Sequence, residues 1–340
     1  MKRLAVAALA LIAVAGSTVQ VEAWGNTGHR MIGVLAMRGL PDDLPAFLRT
    51  PEGAAQIGEL SREPDRWKGA GQPHDRERDT AHFVDMLDDG TVMVPGGPAI
   101  DALPELKWQF DAALVAAGSD VNAAGYLPYA MMDGYQQVVR DFAYWRVLTA
   151  AAARETDLAK RAWYLEDLKR REALILRDIG VLGHYLGDAA QPHHTTIHYN
   201  GWDRDTPNPE GFTTSRQTHA MFEGAFVARN VRMEAVAAAM PEPAVADFDL
   251  RGRTAGYLKT TLATVTPFYR LEKAGGFAEG DARGTGFATR QVAAGAAELR
   301  DWTTSAWRAS SDVSIGWPAV KVSEVEAGTA DPWLAMVGED

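Results

Sequence analysis

Eight histidines are present, His29, His74, His82, His184, His193, His194, His198 and His219, and several keep regular company with an acid. His184 and Asp188 are four residues apart, as are His219 and Glu223, a spacing that puts both members on one face of a helix. Past Gln191-Pro192 comes His194; upstream, His82 heads His82-Phe83-Val84-Asp85, and Asp65 lies in Glu63-Pro64-Asp65-Arg66-Trp67. Taken singly, each pair is an ordinary solvated helical ion pair, and a lone buried histidine usually bonds a backbone carbonyl. As an ordered set in a chain without cysteine, they offer the imidazole and carboxylate donors that suit a borderline cation such as Zn²⁺.

The start of the chain bears on the same chemistry. Lys2 and Arg3 precede the apolar stretch Leu4 to Gly16, and Val21-Glu22-Ala23 follows, a pattern that reads as a signal peptide over residues 1–23. The apolar stretch falls short of the roughly 20 residues of a membrane span, so a retained anchor is the weaker alternative. The expectation is a secreted or periplasmic protein with no transmembrane segment in the mature chain. Trp24 would then be its first residue, and a free α-amino group beside its own carbonyl oxygen can chelate a metal.

On these residues the sequence resembles the superfamily that joins the S-one/P-one nucleases with the bacterial zinc phospholipases C. Trp24-Gly25-Asn26-Thr27-Gly28-His29 is similar to the nuclease form of the amino terminus. His184-Tyr185-Leu186-Gly187-Asp188 with Gln191-Pro192-His193-His194 matches the family's His-x-x-x-Asp-x-x-x-x-x-His, and His219 with Glu223 matches the pair that follows. The resemblance implies three Zn²⁺: one on Asp65, His82, His184 and Asp188, a second on Trp24, His29 and Asp188, a third on His194, His219 and Glu223. His193 is then a bystander, while His74 and His198 match nothing and read as solvated.

The implied activity is phosphodiester hydrolysis, most simply by an endonuclease cutting single-stranded DNA or RNA to 5′-phosphate products. Three divalent ions exceed the charge of three ligand carboxylates, and paired ions acidify water toward neutrality. Asp65, Asp188 and Lys68 are the candidate catalytic residues. Lys68 stands where the nuclease has an arginine, keeping the charge but not the bidentate fork. Phe83 and Asp85 match a nuclease base pocket, with a core Phe beside a capping Asp as the alternative. Glu223, in place of the nuclease aspartate, points instead to a zinc phospholipase C acting on phospholipid head groups. A non-catalytic periplasmic zinc-binding protein is the more distant alternative. No obligate protein partner is expected.

The elements that must position these groups are helices. The 340 residues are 46% apolar with a formal net charge of −11, enough for a large core and too acidic for a broad nucleic-acid-coating surface. Helical periodicity is expected over His29–Arg38, Asp43–Thr50, Ile57–Asp65, Ala102–Ala117, Asp133–Ala152, Asp157–Gly187, Ser215–Met240, Ala255–Tyr269 and Gln291–Arg308. Gly69–Asp79, Asp88–Gly97 and His198–Gly211 read as loops. The expectation is an all-α, single multi-helix domain of the phospholipase C/nuclease type over 24–310, with a helical insertion around 110–165 and a C-terminal tail at 311–340. Aromatic residues of the insertion, Tyr126, Tyr129, Tyr135, Phe142, Tyr144 and Trp145, read either as the wall of a substrate cleft or as packing core.

Overall fold

A computed structural model describes residues 24–338; the signal peptide expected over 1–23 lies outside the described residues. The fold is all-α. The longer helices are α1 (Gly25–Arg38), α2 (Pro51–Leu60), α3 (Lys107–Ala116), α4 (Leu127–Arg154), α5 (Leu158–Ala190), α6 (Leu250–Leu262), α7 (Val265–Lys273) and α8 (Ala282–Ala309). A two-stranded antiparallel pair, β1 (Ser314–Ile315) and β2 (Val320–Lys321), is the one sheet among the described residues. None of the described helices is long and apolar enough to cross a membrane.

Helix α5 is the axis of the molecule. The Asp157 side chain caps its start by accepting from the N–H groups of Ala159 and Lys160, a contribution of about 1 kcal/mol. Its far end stops at Gln191, where Pro192 removes the next donor. Along its length α5 packs on α4, α8, α2 and α1. Helix α8 supplies the centre of the core through Val292, Ala296, Leu299 and Trp302, all fully buried. The α1–α2 crossing is close because glycines face each other: a Cβ on Gly33 would stand 2.9 Å from Gly58 Cα.

Several boundaries differ from the periodicity, for local reasons. The stretch expected as one helix over Ile57–Asp65 is α2 plus a separate turn, Glu63–Arg66, broken at the buried Ser61. Pro104 delays the helix expected from Ala102 until Lys107. Ala255–Tyr269 is two helices split at Ala263-Thr264, and Ser215–Met240 breaks at Val231-Arg232. Part of the expected Gly69–Asp79 loop, His74–Asp79, is a short helix. In the insertion, Tyr129, Tyr135 and Phe142 are buried core, whereas Trp145 is partly buried against Trp307. The tail joins the same body: Ile315, Val322 and Val325 pack on Ala143 and Val147 of α4.

Candidate metal centre

The site is assembled around the last turns of α5. His184 and Asp188 are fully buried there, on the face toward α1 and the Thr80–His82 turn. His184 Nδ1 donates to the buried Ser61 carbonyl at 2.8 Å, one of the acceptors left without a helical partner where α2 ends. His194 Nδ1 donates to the His82 carbonyl at 2.6 Å. A carbonyl oxygen only accepts, so both rings carry their proton on Nδ1 and turn Nε2 inward. This is how a second partner commonly orients a metal-ligating histidine.

The inward atoms crowd together. His184 Nε2 lies 2.9 Å from His82 Nδ1 and 3.2 Å from Asp188 Oδ2, and His82 Nδ1 lies 3.0 Å from that same oxygen. Asp65 Oδ1 is 3.9 Å from both imidazole nitrogens. A tetrahedron with bonds of about 2.0–2.1 Å has edges of about 3.3–3.4 Å, and these separations bracket that value. A second cluster lies beyond it: His194 Nε2 to His219 Nε2 is 3.0 Å, His219 Nε2 to Glu223 Oε2 is 2.7 Å, and His194 Nε2 to Glu223 Oε2 is 3.5 Å. Asp188 joins the first cluster through Oδ2, while its Oδ1 lies 3.5 Å from His29 Nε2 and 4.0 Å from His194 Nδ1, the ring atom turned toward the His82 carbonyl.

His29 stacks on His184 at 4.0 Å between ring centroids, and neither of its nitrogens has a hydrogen-bond partner. The same is true of Asp188 Oδ1 and Glu223 Oε1. Unpaired buried polar atoms cost about 1–3 kcal/mol each, and several pointing at one another is the arrangement that a cation relieves. His29 comes this close because α5 has a glycine opposite it: a Cβ on Gly187 would stand 3.0 Å from His29 Nδ1. Trp24, also fully buried, donates its indole N–H to the Gly187 carbonyl at 2.5 Å and packs on Phe222.

Electrostatics keep the acids ionised. Burial raises Asp188, but the His184 and His194 charges and hydrogen bonds from His184 and His82 outweigh it and hold the carboxyl well below its usual range. Glu223 is likewise brought down to about 2, against burial, by His219 and His194. His194 is pushed up to about 9, with Asp188 and Glu223 overcoming its burial. Burial, with His184 beside it, drives His29 down to about 3. Positive charge therefore has to reside among these acids, as imidazolium protons or as bound cations.

Other residues singled out from the sequence fall into place around this array. Lys68 pairs with Asp65 at 3.0 Å and with Asp79 at 3.6 Å. Phe83 is half-buried; Asp85 is buried, its Oδ1 unpartnered and its carboxyl pushed well above the usual range by burial. His193 is enclosed by Phe268, Phe222 and Tyr269, with neither nitrogen bonded. His74 is exposed as expected, but His198 is not solvated: it is buried, stacked at 3.7 Å on Trp202, and accepts the Asp203 N–H.

Two contributors escape a reading of the sequence. Ser61 acts through its backbone carbonyl, which leaves no side-chain signal. Gln191 accepts the His193 N–H through Oε1 and donates from Nε2 to Glu223 Oε2 at 3.0 Å, tying the end of α5 to the second cluster. Its place beside Pro192 in the motif was its only sequence signal. No family model matches the chain, and no curated protein matches it.

Proposed function

We propose that this chain is an exported zinc-dependent phosphodiesterase acting on single-stranded DNA or RNA and leaving 5′-phosphate products. The observation that carries the reading is the buried array in which Asp188 stands between the His82–His184–Asp65 cluster and the His194–His219–Glu223 cluster. Imidazole and carboxylate donors without thiolate suit zinc. Asp65, His82, His184 and Asp188 would hold one ion, Trp24, His29 and Asp188 a second, and His194, His219 and Glu223 a third. Bound zinc supplies Lewis-acid charge against the anionic diester and acidifies water toward a pKa of roughly 7.

The remaining work falls to side chains. The Ser61 and His82 carbonyls hold two imidazoles in one tautomer and orientation. Lys68, beside Asp65, offers an ammonium to a non-bridging phosphate oxygen as a point charge. Phe83 would stack on a base while the Asp85 carboxyl accepts from the N–H groups of the base edge.

A phospholipid substrate is the second reading, favoured by Leu106 and Trp108, which are 49% and 63% exposed at the start of α3. Purified protein beginning at Trp24 should hydrolyse single-stranded DNA and RNA and lose that activity on chelation. Cleavage of phosphatidylcholine alone would transfer the assignment to the second reading. Tight zinc retention with no hydrolysis of bis(nitrophenyl) phosphate would leave only a binding protein.

A further inference from the structure

Next to the donor array, three segments bring cations and an indole onto one surface. Arg78, in the short helix His74–Asp79, and Arg177, on α5, each place the guanidinium carbon 5.6 Å from the centroid of the Trp67 ring. Lys68 follows Trp67 in the chain and faces Asp65 and Asp79. Arg177 precedes His184 by seven residues on α5, two turns along the same face, or about 10 Å.

Lys68 of this surface pairs with Asp65 of the array at 3.0 Å, and Tyr185, next to His184 on α5, has its ring 5.8 Å from His82 and 5.6 Å from His184. The surface is therefore continuous with the array. Arg177 pairs with Asp178, but Arg78 makes no ion pair among the described residues, its side chain reaching only His74 Nε2 at 3.5 Å. Such a cluster stands out in a chain of net charge −11.

We propose that Trp67, Arg78 and Arg177 form a strand-binding subsite that holds the phosphate backbone and a base of a polynucleotide beside the scissile bond. The inference rests on the phosphodiesterase reading and narrows its substrate to a polymer. Guanidinium forks match phosphate oxygens two at a time, and an indole face stacks on any base. The quaternary ammonium of a choline head group would instead meet two like charges.

Fluorescence anisotropy with a labelled, cleavage-resistant phosphorothioate dT12 and the protein as purified tests this. Arg78→Gln/Arg177→Gln should raise Kd at least about 10-fold and make the salt dependence shallower by about 1.4, two phosphate contacts at 0.7 each. Arg161→Gln/Arg170→Gln removes the same charge from exposed sites on α5, roughly 34 and 21 Å before His184, and should change Kd less than about 2-fold. Because Arg177 pairs with buried Asp178, the exposed Arg78→Gln is also read alone and should weaken binding about 3-fold or more.

No binding by the unaltered protein, a Kd for Arg78→Gln/Arg177→Gln within 2-fold of it, or equal weakening in both double variants would overturn the proposal. So would loss of binding to phosphatidylglycerol vesicles with dT12 unaffected. Since no cleavage is read, failure here is distinct from failure of the hydrolysis assay.

Discussion

Gln191 Nε2 lies 3.0 Å from Glu223 Oε2, so the residue that ends α5 also steadies an acid of the second cluster. Glu223 sits in a π-helical turn, Met221–Phe226, a wide turn frequent at functional sites. Gln191→Ala should lower metal affinity there by about 10–100-fold, the usual effect of losing a group that supports a ligand. Competition with a chromophoric chelator measures it, and an affinity matching the unaltered protein would remove the role.

Asp188 lies between the clusters, its Oδ2 bonded to His82 and its Oδ1 without a hydrogen-bond partner. Asp188→Asn preserves shape and should preserve the helical circular dichroism, yet metal content should fall and diester hydrolysis drop about 1,000-fold, or about 4 kcal/mol. Full metal content in a folded variant would show that the shared carboxylate is dispensable.

Trp24 is fully buried and tied to Gly187 through its indole. On the proposed reading its amine and carbonyl are donors, and an added residue turns the amine into an amide. Protein carrying one extra residue before Trp24 should retain one ion fewer and lose most of its hydrolysis. Equal metal content and rate in the two forms would exclude the amino terminus from the site.

The His184–Asp188 spacing is legible in the sequence because both residues lie in one uninterrupted helix, Leu158–Ala190, whose periodicity reads plainly. Asp65, His82 and His219 could be related to them only through resemblance, since tertiary packing brings them together. The π turn around Glu223 has no periodicity of its own. His198 is buried rather than solvated because Trp202, four residues on, folds back to stack on it, a contact no local pattern reveals. Trp67, Arg78 and Arg177 are separated by up to 110 residues and share no local pattern.

Away from the site, Asp141 of α4 is buried, accepting from Arg171 at 2.6 Å and Gln137 at 3.1 Å. Burial and neighbouring Asp178 push it up to about 7, with Arg171 opposing. The native state thus holds a proton that the unfolded chain releases near pH 4, and this contribution to stability is lost as pH rises from about 4 to 7. Asp141→Asn should shrink the difference in Tm between pH 5 and pH 8 by half or more. An unaltered difference would place the proton elsewhere.

The central claim, that the buried acids and imidazoles form a metal centre, is tested most directly by elemental analysis of active protein beginning at Trp24. The account predicts about three zinc ions per chain, lost to chelator together with diester hydrolysis. Active protein free of transition metal would contradict it.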